Sequence, residues 1–574
     1  MINRGVLDRS ISSLRTLRMP EDEDIFWFRD DLHQPYPISP FGMTTVQKHH
    51  AWSYHHASNK VKLPDTKGAH VKIYKGRVYL GFEMIKDEGL IKERAQEFIK
   101  NLDNCTDNWN EFYAGYIEEV KTELNVVDSI KAHHLKDYQL LEYLKWANEM
   151  NRRNWEIHFT TMYMADAVYF GFEEFCKQKG LEEKDSTVML RGAIDTMATK
   201  TDREMFRLAQ LAEELGIGDD LLEEESASLL VGLKNSPEGS KWLERLDEFL
   251  EYYGNRITAG HLDVIYPTWK EDPCPVIETL KGYIPKLRDG WDIEETKNKL
   301  GREREELIKK FTSELNEEEQ NVFSRLLKAG QGVYFFQEDH GFYIDAGSTS
   351  RLRFAALNCG SRLQRYGLLK NAEDVFFLTY HELTEVLSDL TREKEVAIYH
   401  HMRLVPALIK ERKRDWEKVK EEEAPLTLGK IPDTMTDPIG IKVFGIIDDV
   451  IHPKGEMVQS SSLEGFPGAP GFVEGVARVI THFDGFASVK SGDILVCPFT
   501  STAWTPLFPK ISAVVTDTGG MLTHAAITAR EYGIPAVVGC WNATHSIQDG
   551  DRLRVDGNNG VVEVIEKFNA VAAK

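Results

Sequence analysis

The sequence has 574 residues, of which 42% are hydrophobic, and a formal net charge of −22 at pH 7. The length exceeds what one hydrophobic core supports and predicts about three or four domains. The negative charge argues against nucleic-acid binding, which depends on neutralising phosphates with Lys and Arg. No apolar run of about 18 residues occurs, so the sequence predicts no membrane span.

The N-terminus and the cysteines indicate a reducing compartment. Met1-Ile2-Asn3-Arg4 opens a charged segment rather than the apolar core of a signal peptide. The six cysteines are scattered without Cys-x-x-Cys spacing, so they form no disulfide or zinc pattern. We therefore predict a cytoplasmic protein without a metal site.

The first hundred residues combine extended, polar and hairpin patterns. Pro35, Pro37 and Pro40 disfavour helix and predict an extended segment. Residues 71–82 flank a turn at 75–76 and predict a β-hairpin.

Four histidines lie between these two segments. No carboxylate or cysteine completes a metal-binding set at a recognised spacing, so a solvated polar segment is the preferred interpretation. The histidines are His49, His50, His55 and His56.

From about Leu90 to Tyr253 the apolar residues recur at helical spacing. Trp155, His158 and Phe159 continue one such face, which is more typical of a helical core than of a ligand pocket. A helical pair follows, and its second helix is predicted to begin near Asn316 with a capping box to Glu319.

Prolines and glycines at 425–438 indicate a linker, and a second break at 460–471 precedes the last domain. In that domain the pattern predicts a strand over 511–515, a glycine turn, a helix from about Thr523 and a strand over 535–538. Gly533 is expected to end the helix.

The glycine turn and the start of the helix form a favourable binding site for an anion. Gly519 and Gly520 allow close approach by a charged group. His524 lies in the first helical turn, where unpaired N–H groups and the helix dipole attract negative charge. We predict that His524 carries a phosphoryl group and that Gly519, Gly520 and Thr523 bind its oxygens. Arg530 offsets the phosphate charge if it folds back, and otherwise caps or packs.

The run from Gly519 to Gly539 resembles the phosphohistidine signature of phosphoenolpyruvate synthase, pyruvate phosphate dikinase and their relatives. The resemblance extends from Gly468 to Val564. Segments at 26–40, 251–273 and 335–390 resemble rifampin phosphotransferase and the larger subunit of phenylphosphate synthase. The resemblance covers nearly the whole chain, and its motifs are most specific in roughly the last hundred residues.

This resemblance implies a multidomain fold, with a mainly α-helical acceptor-binding region followed by a small α/β swivelling phosphohistidine domain. The expected ranges are 1–424 for the acceptor region, 425–464 for a linker and 465–574 for the phosphohistidine domain. The family charges its histidine in an ATP-grasp domain, for which no segment here fits. We therefore expect a separate ATP-grasp subunit that binds ATP and Mg²⁺.

By the same resemblance, the enzyme is a dikinase-like phosphotransferase that forms a covalent phosphohistidine. It consumes ATP and water, releases AMP and phosphate, and transfers the phosphoryl group from His524 to a phenolic hydroxyl. Two alternatives stay open: an acceptor such as a larger hydroxylated compound or antibiotic, and a non-catalytic phosphocarrier. The aromatic-rich region before residue 424 argues against a mere carrier.

A phenol of pKa ~10 is mostly protonated at pH 7, so the transfer needs a base. His340 is the candidate base, oriented by Glu338 or Asp345, and His261 is its rival. The candidate ligands of the phenolate or of the phosphoryl group are Tyr343 and Arg353.

Overall fold

The computed structural model describes residues 24–31, 33–258, 263–435, 440–441, 444–452, 462–481, 483–500, 502–521 and 523–568. Their contacts divide them into two compact units. The first unit comprises 24–167, 263–266 and 340–432, and the second comprises the other described residues. Within these ranges no helix is both long and apolar enough to cross a bilayer.

The chain is mostly helical before its last hundred residues. Its α-helices, in chain order, are α1 (Pro40–Thr44), α2 (Val46–Val61), α3 (Glu88–Asp107), α4 (Trp109–Asp128), α5 (Asp137–Gln178), α6 (Glu183–Val188), α7 (Met197–Glu214), α8 (Gly218–Glu223), α9 (Ser226–Gly232), α10 (Pro237–Tyr253), α11 (Cys274–Arg288), α12 (Ile293–Glu314), α13 (Glu317–His340), α14 (Gly347–Arg365), α15 (Tyr380–Thr391), α16 (Glu395–Glu421), α17 (Asp448–Ile451), α18 (His524–Tyr532) and α19 (Ala543–Ser546). A π-helix over Gly341–Ala346 joins α13 to α14. The predicted capping box is confirmed, because Asn316 and Glu319 exchange side-chain to backbone hydrogen bonds.

The first unit contains a four-stranded antiparallel sheet in the order β2-β3-β1-β4. Its strands are β1 (Phe26–Arg29), β2 (Thr66–Tyr74), β3 (Arg77–Met84) and β4 (Thr427–Gly429). The predicted hairpin is confirmed as β2 and β3. Lys75 and Gly76 form its turn with φ of 48° and 70°, a region that glycine enters without strain.

The prediction of a solvated polar segment around the four histidines is wrong. All four lie on α2; His49 and His50 are buried, and His55 and His56 are half-buried. His49 is hydrogen-bonded to Asn151, with 2.8 Å from Nδ1 to Oδ1. Burial lowers the pKa of His49 to about 4, so its imidazole is neutral. The histidines therefore form part of a packed helix, which their clustering in sequence did not reveal.

In the second unit, α7, α10 and α11 pack around Trp242, whose indole Nε1 donates to the carbonyl of Leu208 at 3.0 Å. The rest of the unit includes a sheet in the order β5-β12-β11-β7-β8-β9-β10-β6. The strands are β5 (Ser462–Glu464), β6 (Phe466–Ala469), β7 (Phe472–Val479), β8 (Ile494–Cys497), β9 (Ala513–Thr516), β10 (Ala536–Val538), β11 (Arg552–Asp556) and β12 (Val561–Glu566).

Strands β7, β8, β9 and β10 run parallel, and every residue of β8, β9 and β10 is buried. Such strands need cover on both faces, which two separate apolar clusters provide. The predicted α/β domain is thereby confirmed, with its strands and helix at the expected positions. The predicted boundaries at 424 and 465 stay a prediction, because the compact units follow contacts and not motion.

A buried ion pair joins α15 to α16. The two Nη atoms of Arg412 donate to the carboxylate oxygens of Glu382 at 2.6 and 3.0 Å, and both side chains are at most 2% exposed. Glu382→Ala leaves a guanidinium unpaired in the core, so we expect a loss of about 3–5 kcal/mol of unfolding free energy in urea. The control is Glu417→Ala, which breaks an exposed pair with Lys420 and should cost below about 1 kcal/mol. Equal losses in the two variants would contradict this assignment.

Candidate active site

The helix α18 begins directly after the glycine turn, as the sequence predicts. Gly519 has a φ of 104°, a backbone angle that side chains other than hydrogen disfavour. Thr523 is the N-cap residue, and its hydroxyl donates to the carbonyl of Gly520 at 2.7 Å. Gly533 ends the helix in the left-handed conformation, with a φ of 66°. This geometry fixes His524 as the first helical residue.

Three threonine hydroxyls surround the His524 ring. Thr500 lies 3.0 Å from Nδ1, while Thr505 and Thr528 each lie 3.1 Å from Nε2. The ring of Phe508 meets the imidazole edge-on, with 5.9 Å between centroids. If Nδ1–H donates to Thr500, then Nε2 carries the lone pair. Two hydroxyls then flank the nucleophilic nitrogen and can donate to the oxygens of a phosphoryl group on it.

The predicted phosphate-binding residues occupy different structural positions. Gly519, Gly520 and Thr523 form the turn and the helix start, as expected. Arg530 is buried, and its Nη2 donates to the carbonyl of Met521 at 2.8 Å, so it supports the turn that precedes His524. The side chain of Arg530 thus folds back towards the turn, and its role in offsetting the phosphate charge stays a prediction.

The three threonines were not identified as ligands from the sequence. Thr528 lies one helical turn after His524, which is a usable signal because residues i and i+4 share a helix face. Thr500 follows β8, and Thr505 lies in a 3₁₀-helix over Thr502–Leu507. Only the parallel pairing of β8 with β9 brings them to the start of α18.

The other end of α18 contacts helices of the same unit. Tyr532 Oη lies 3.2 Å from Tyr283 Oη, and the amide of Gly192 donates to Glu531 Oε1 at 3.3 Å. Burial raises the pKa of Asp202, which is bonded to Tyr532, to about 6. Burial likewise raises the pKa of Glu531. This end of the helix therefore rests on carboxyl groups that bind their protons more tightly than usual.

A second group of titratable side chains lies in the first unit. Asp345, on the π-helix, is 5% exposed and accepts from His158 Nδ1 at 2.8 Å. His340 Nε2 lies 3.7 Å from the other carboxylate oxygen, and the two imidazole centroids are 5.0 Å apart. His340 lies near Asp345 at a distance longer than a hydrogen bond, and His158 joins the group from α5. That Asp345 orients His340 stays a prediction. Such π-helical turns are frequent at functional sites.

Two further histidines of this unit interact with Asp345. Burial alone would lower the pKa of His33, but the nearby carboxylates of Asp30 and Asp345 outweigh it and raise this pKa. Burial lowers the pKa of His50 well below its usual value, and the charges of His158 and His33 add to the effect. The ring of Trp155 lies 3.9 Å from that of His50 and 4.8 Å from that of His158.

The remaining predicted acceptor residues are placed elsewhere. Tyr343 packs under the ammonium of Lys121, 4.9 Å from the ring centroid. Arg353 is fully buried and donates to the carbonyls at 264 and 265 at 2.8 and 2.9 Å. His261 lies outside the described residues.

Glu338 interacts with Arg256 in the second unit, while Asp345 belongs to the first. Burial raises the pKa of Glu338 to about 8, and the charge of Arg256 opposes this effect. The expectation that Glu338 orients His340 stays a prediction.

Two family models match the chain. The mobile domain of PEP-utilising enzymes matches residues 489–560, which include His524, and the rifampicin phosphotransferase fourth domain matches 158–338. These matches confirm the resemblance to the phosphohistidine family.

Similar proteins carry related names. An uncharacterized phosphotransferase of Bacillus subtilis is 26% identical over 557 residues, which are 95% of this chain and 62% of that protein. A rifampicin phosphotransferase of Bacillus cereus is 32% identical over 59% of this chain and 36% of its own length. A probable phosphoenolpyruvate synthase of Staphylothermus marinus is 48% identical over 17% of this chain and 12% of its own length. The chain thus spans less than two thirds of each relative.

The carboxyl group of Glu338 gives a pH-dependent stability. Its pKa is about 8 in the folded protein and about 4.3 in an unfolded chain. The unfolded chain therefore loses a proton that the folded state keeps, and stability falls as the pH rises between these values. Glu338→Gln removes this loss and should be more stable than wild type at pH 8.5 by a few kcal/mol, roughly 1.4 for each pKa unit.

Urea unfolding midpoints at pH 5 and pH 8.5 check this expectation. The midpoints of Glu338→Gln and wild type should differ less at pH 5 than at pH 8.5. The control is Glu305→Gln, whose side chain is 73% exposed. If the unfolding midpoint of Glu338→Gln changes with pH as much as that of wild type, the prediction is contradicted.

Proposed function

We propose that the chain is a phosphotransferase component that carries a phosphoryl group on His524 Nε2 and delivers it to a hydroxyl of a bound acceptor. The observation that carries this proposal is the position of His524. It begins α18, inside the mobile-domain match, with Thr505 and Thr528 each 3.1 Å from Nε2. The positive end of the helix dipole at the start of α18 adds attraction for the phosphoryl oxygens.

Covalent transfer through His524 divides one displacement into two. In the first, the Nε2 lone pair attacks phosphorus and the bond from phosphorus to the donor oxygen breaks. In the second, the acceptor oxygen attacks, the P–N bond breaks and the imidazole regains its lone pair. A separate ATP-grasp subunit with ATP and Mg²⁺ is proposed to charge the histidine. This assignment follows from the family resemblance.

The Asp345 group is proposed as the acceptor site. Its histidines offer the base that a hydroxyl acceptor needs, and Trp155 and Phe159 provide aromatic surfaces beside them. His340 is the base expected from the sequence. The geometry supports His158 at least as well, because its Nδ1 bonds Asp345 at 2.8 Å and its Nε2 then carries the lone pair. His261 stays a rival.

The acceptor is proposed to be a hydroxylated aromatic compound. A simple phenol, as in phenylphosphate synthase, and a larger hydroxylated antibiotic, as in rifampicin phosphotransferase, are supported equally. A non-catalytic phosphocarrier is the remaining alternative. The buried histidines and carboxylates of the first unit favour an acceptor enzyme, because a carrier does not need them.

His524→Ala should acquire no acid-labile phosphate from ATP labelled at the β position, when incubated with the ATP-grasp subunit and Mg²⁺. Thr528→Val keeps the imidazole and removes one hydroxyl from Nε2, so its labelling should be slower by roughly 10-fold, in line with the loss of one hydrogen bond of about 1–1.5 kcal/mol. Labelling of His524→Ala at the wild-type level would refute the proposal.

The acceptor step is tested on protein already phosphorylated at His524. Asp345→Asn and His158→Gln should charge normally but transfer to a phenol roughly 10²–10⁴-fold more slowly, because a general base contributes about that factor. His340→Gln is measured beside His158→Gln to decide which histidine is the base. Only the variant that lacks the true base should also lose the pH dependence of the transfer rate. Tyr343→Phe is the control, because its ring packs on Lys121 and should transfer normally. If His158→Gln and His340→Gln both transfer at the wild-type rate, neither histidine is the base.

A further inference from the structure

Three side chains from separate elements of the first unit meet at the surface of the β-hairpin. His55 comes from α2, His70 from β2 and Glu83 from β3. Glu83 Oε2 lies 3.6 Å from His55 Nε2 and 3.3 Å from His70 Nε2, and all three ligand atoms lie within 4.8 Å of one another. The side chains are 33%, 43% and 34% exposed, so solvent reaches the group.

The backbone is shaped to bring them together. His70 pairs with Gly81, so Glu83 is its diagonal neighbour on the same face of the hairpin. A register shift follows Thr66, and Gly68 within it has a φ of 136°. A Cβ on Gly68 would come within 2.7 Å of the backbone of His55. The bulge and this glycine therefore allow α2 to approach the strand closely enough for His55 to join the group.

The tautomer of His55 leaves a lone pair directed at Glu83. Its Nδ1 lies 2.9 Å from the carbonyl oxygen of Ala51, which can only accept, so Nδ1 carries the proton. In the neutral ring Nε2 is then bare and faces a carboxylate oxygen at 3.6 Å, too far for a hydrogen bond. A metal ion bound between these two atoms would relieve the repulsion between the lone pair and the carboxylate. A backbone carbonyl on the other nitrogen is also the usual support of a metal-binding histidine.

We propose that His55, His70 and Glu83 bind a divalent transition-metal ion of the zinc type. With metal–ligand bonds of about 2.0–2.1 Å, tetrahedral ligands stand about 3.3–3.4 Å apart, close to the two nitrogen–oxygen distances here. Imidazole and carboxylate are suitable ligands for such ions, and water completes the sphere from the solvent side. The ion fastens α2 to the hairpin.

The second oxygen of Glu83 supports the geometry, because Lys67 donates to Oε1 at 2.7 Å and holds the carboxylate in place. The buried group around Asp345 is different. There His158 and the carboxylate are 2.8 Å apart, which is a direct hydrogen bond and leaves no room for an ion between those two atoms. The hairpin group, at longer distances and open to solvent, is therefore the better metal site.

The test uses the full chain after treatment with EDTA, with Co²⁺ as a spectroscopic probe and Zn²⁺ as competitor. Wild type should bind one equivalent of Co²⁺ with visible absorption that Zn²⁺ abolishes, and Zn²⁺ should raise its thermal midpoint. His55→Ala and His70→Ala should each bind at least about 100-fold more weakly, since even an outer partner of a metal ligand is worth about 10–100-fold. His56→Ala, the neighbouring histidine on α2, is the matched control and should bind as wild type does.

Glu83→Gln provides a second variant that keeps the shape of the side chain, in case a histidine variant fails to fold. Its circular dichroism should match wild type, and its Co²⁺ affinity should fall. The proposal is overturned if wild type binds no equivalent of either metal at micromolar concentration. It is also overturned if His55→Ala and His70→Ala bind normally while His158→Ala does not, because the buried group would then be the site.

Discussion

A buried carboxylate needs hydrogen bonds or opposite charges beside it. In the first unit, the buried carboxylate of Asp345 requires such partners from the neighbouring helices. Burying a charge without hydrogen bonds or counter-charges costs several kcal/mol. His158 supplies a hydrogen bond at 2.8 Å from α5, and His340 stands 3.7 Å away at the end of α13. The carboxylate of Asp345 also contributes to raising the pKa of His33. The π-helix and the long α5 must therefore keep a fixed relation for the charge to remain buried.

The two histidine environments of the proposed transfer differ in the charge of their partners. His524 is surrounded by uncharged hydroxyls, whereas His158 and His340 share a carboxylate. A hydroxyl can donate to a phosphoryl oxygen or accept from an imidazole N–H, so it serves both states of a carrier. A carboxylate instead stabilises the imidazolium that forms when a base takes a proton. The different partners therefore suit the two different steps of the proposed transfer.

Local patterns predicted the parts of the structure that depend on neighbouring residues. The strand, glycine turn and helix around His524 follow from backbone freedom and helix capping, and so does the capping box at Asn316 and Glu319. The site partners depend on distant pairing. Thr500 meets His524 only because β8 pairs with β9, and His70 meets His55 only through a bulge.

The proposed carrier role also has a consequence at the other end of α18. Glu531 and Asp202 hold raised pKa values because this contact removes them from water, with Tyr532 bonded to Asp202. If α18 moved away from these helices, both carboxyl groups would be hydrated and would bind their protons less tightly. Separation would then release protons, and it would become easier as the pH rises towards the raised values. In the proposed transfer, a departure of α18 from this surface would therefore be coupled to proton release.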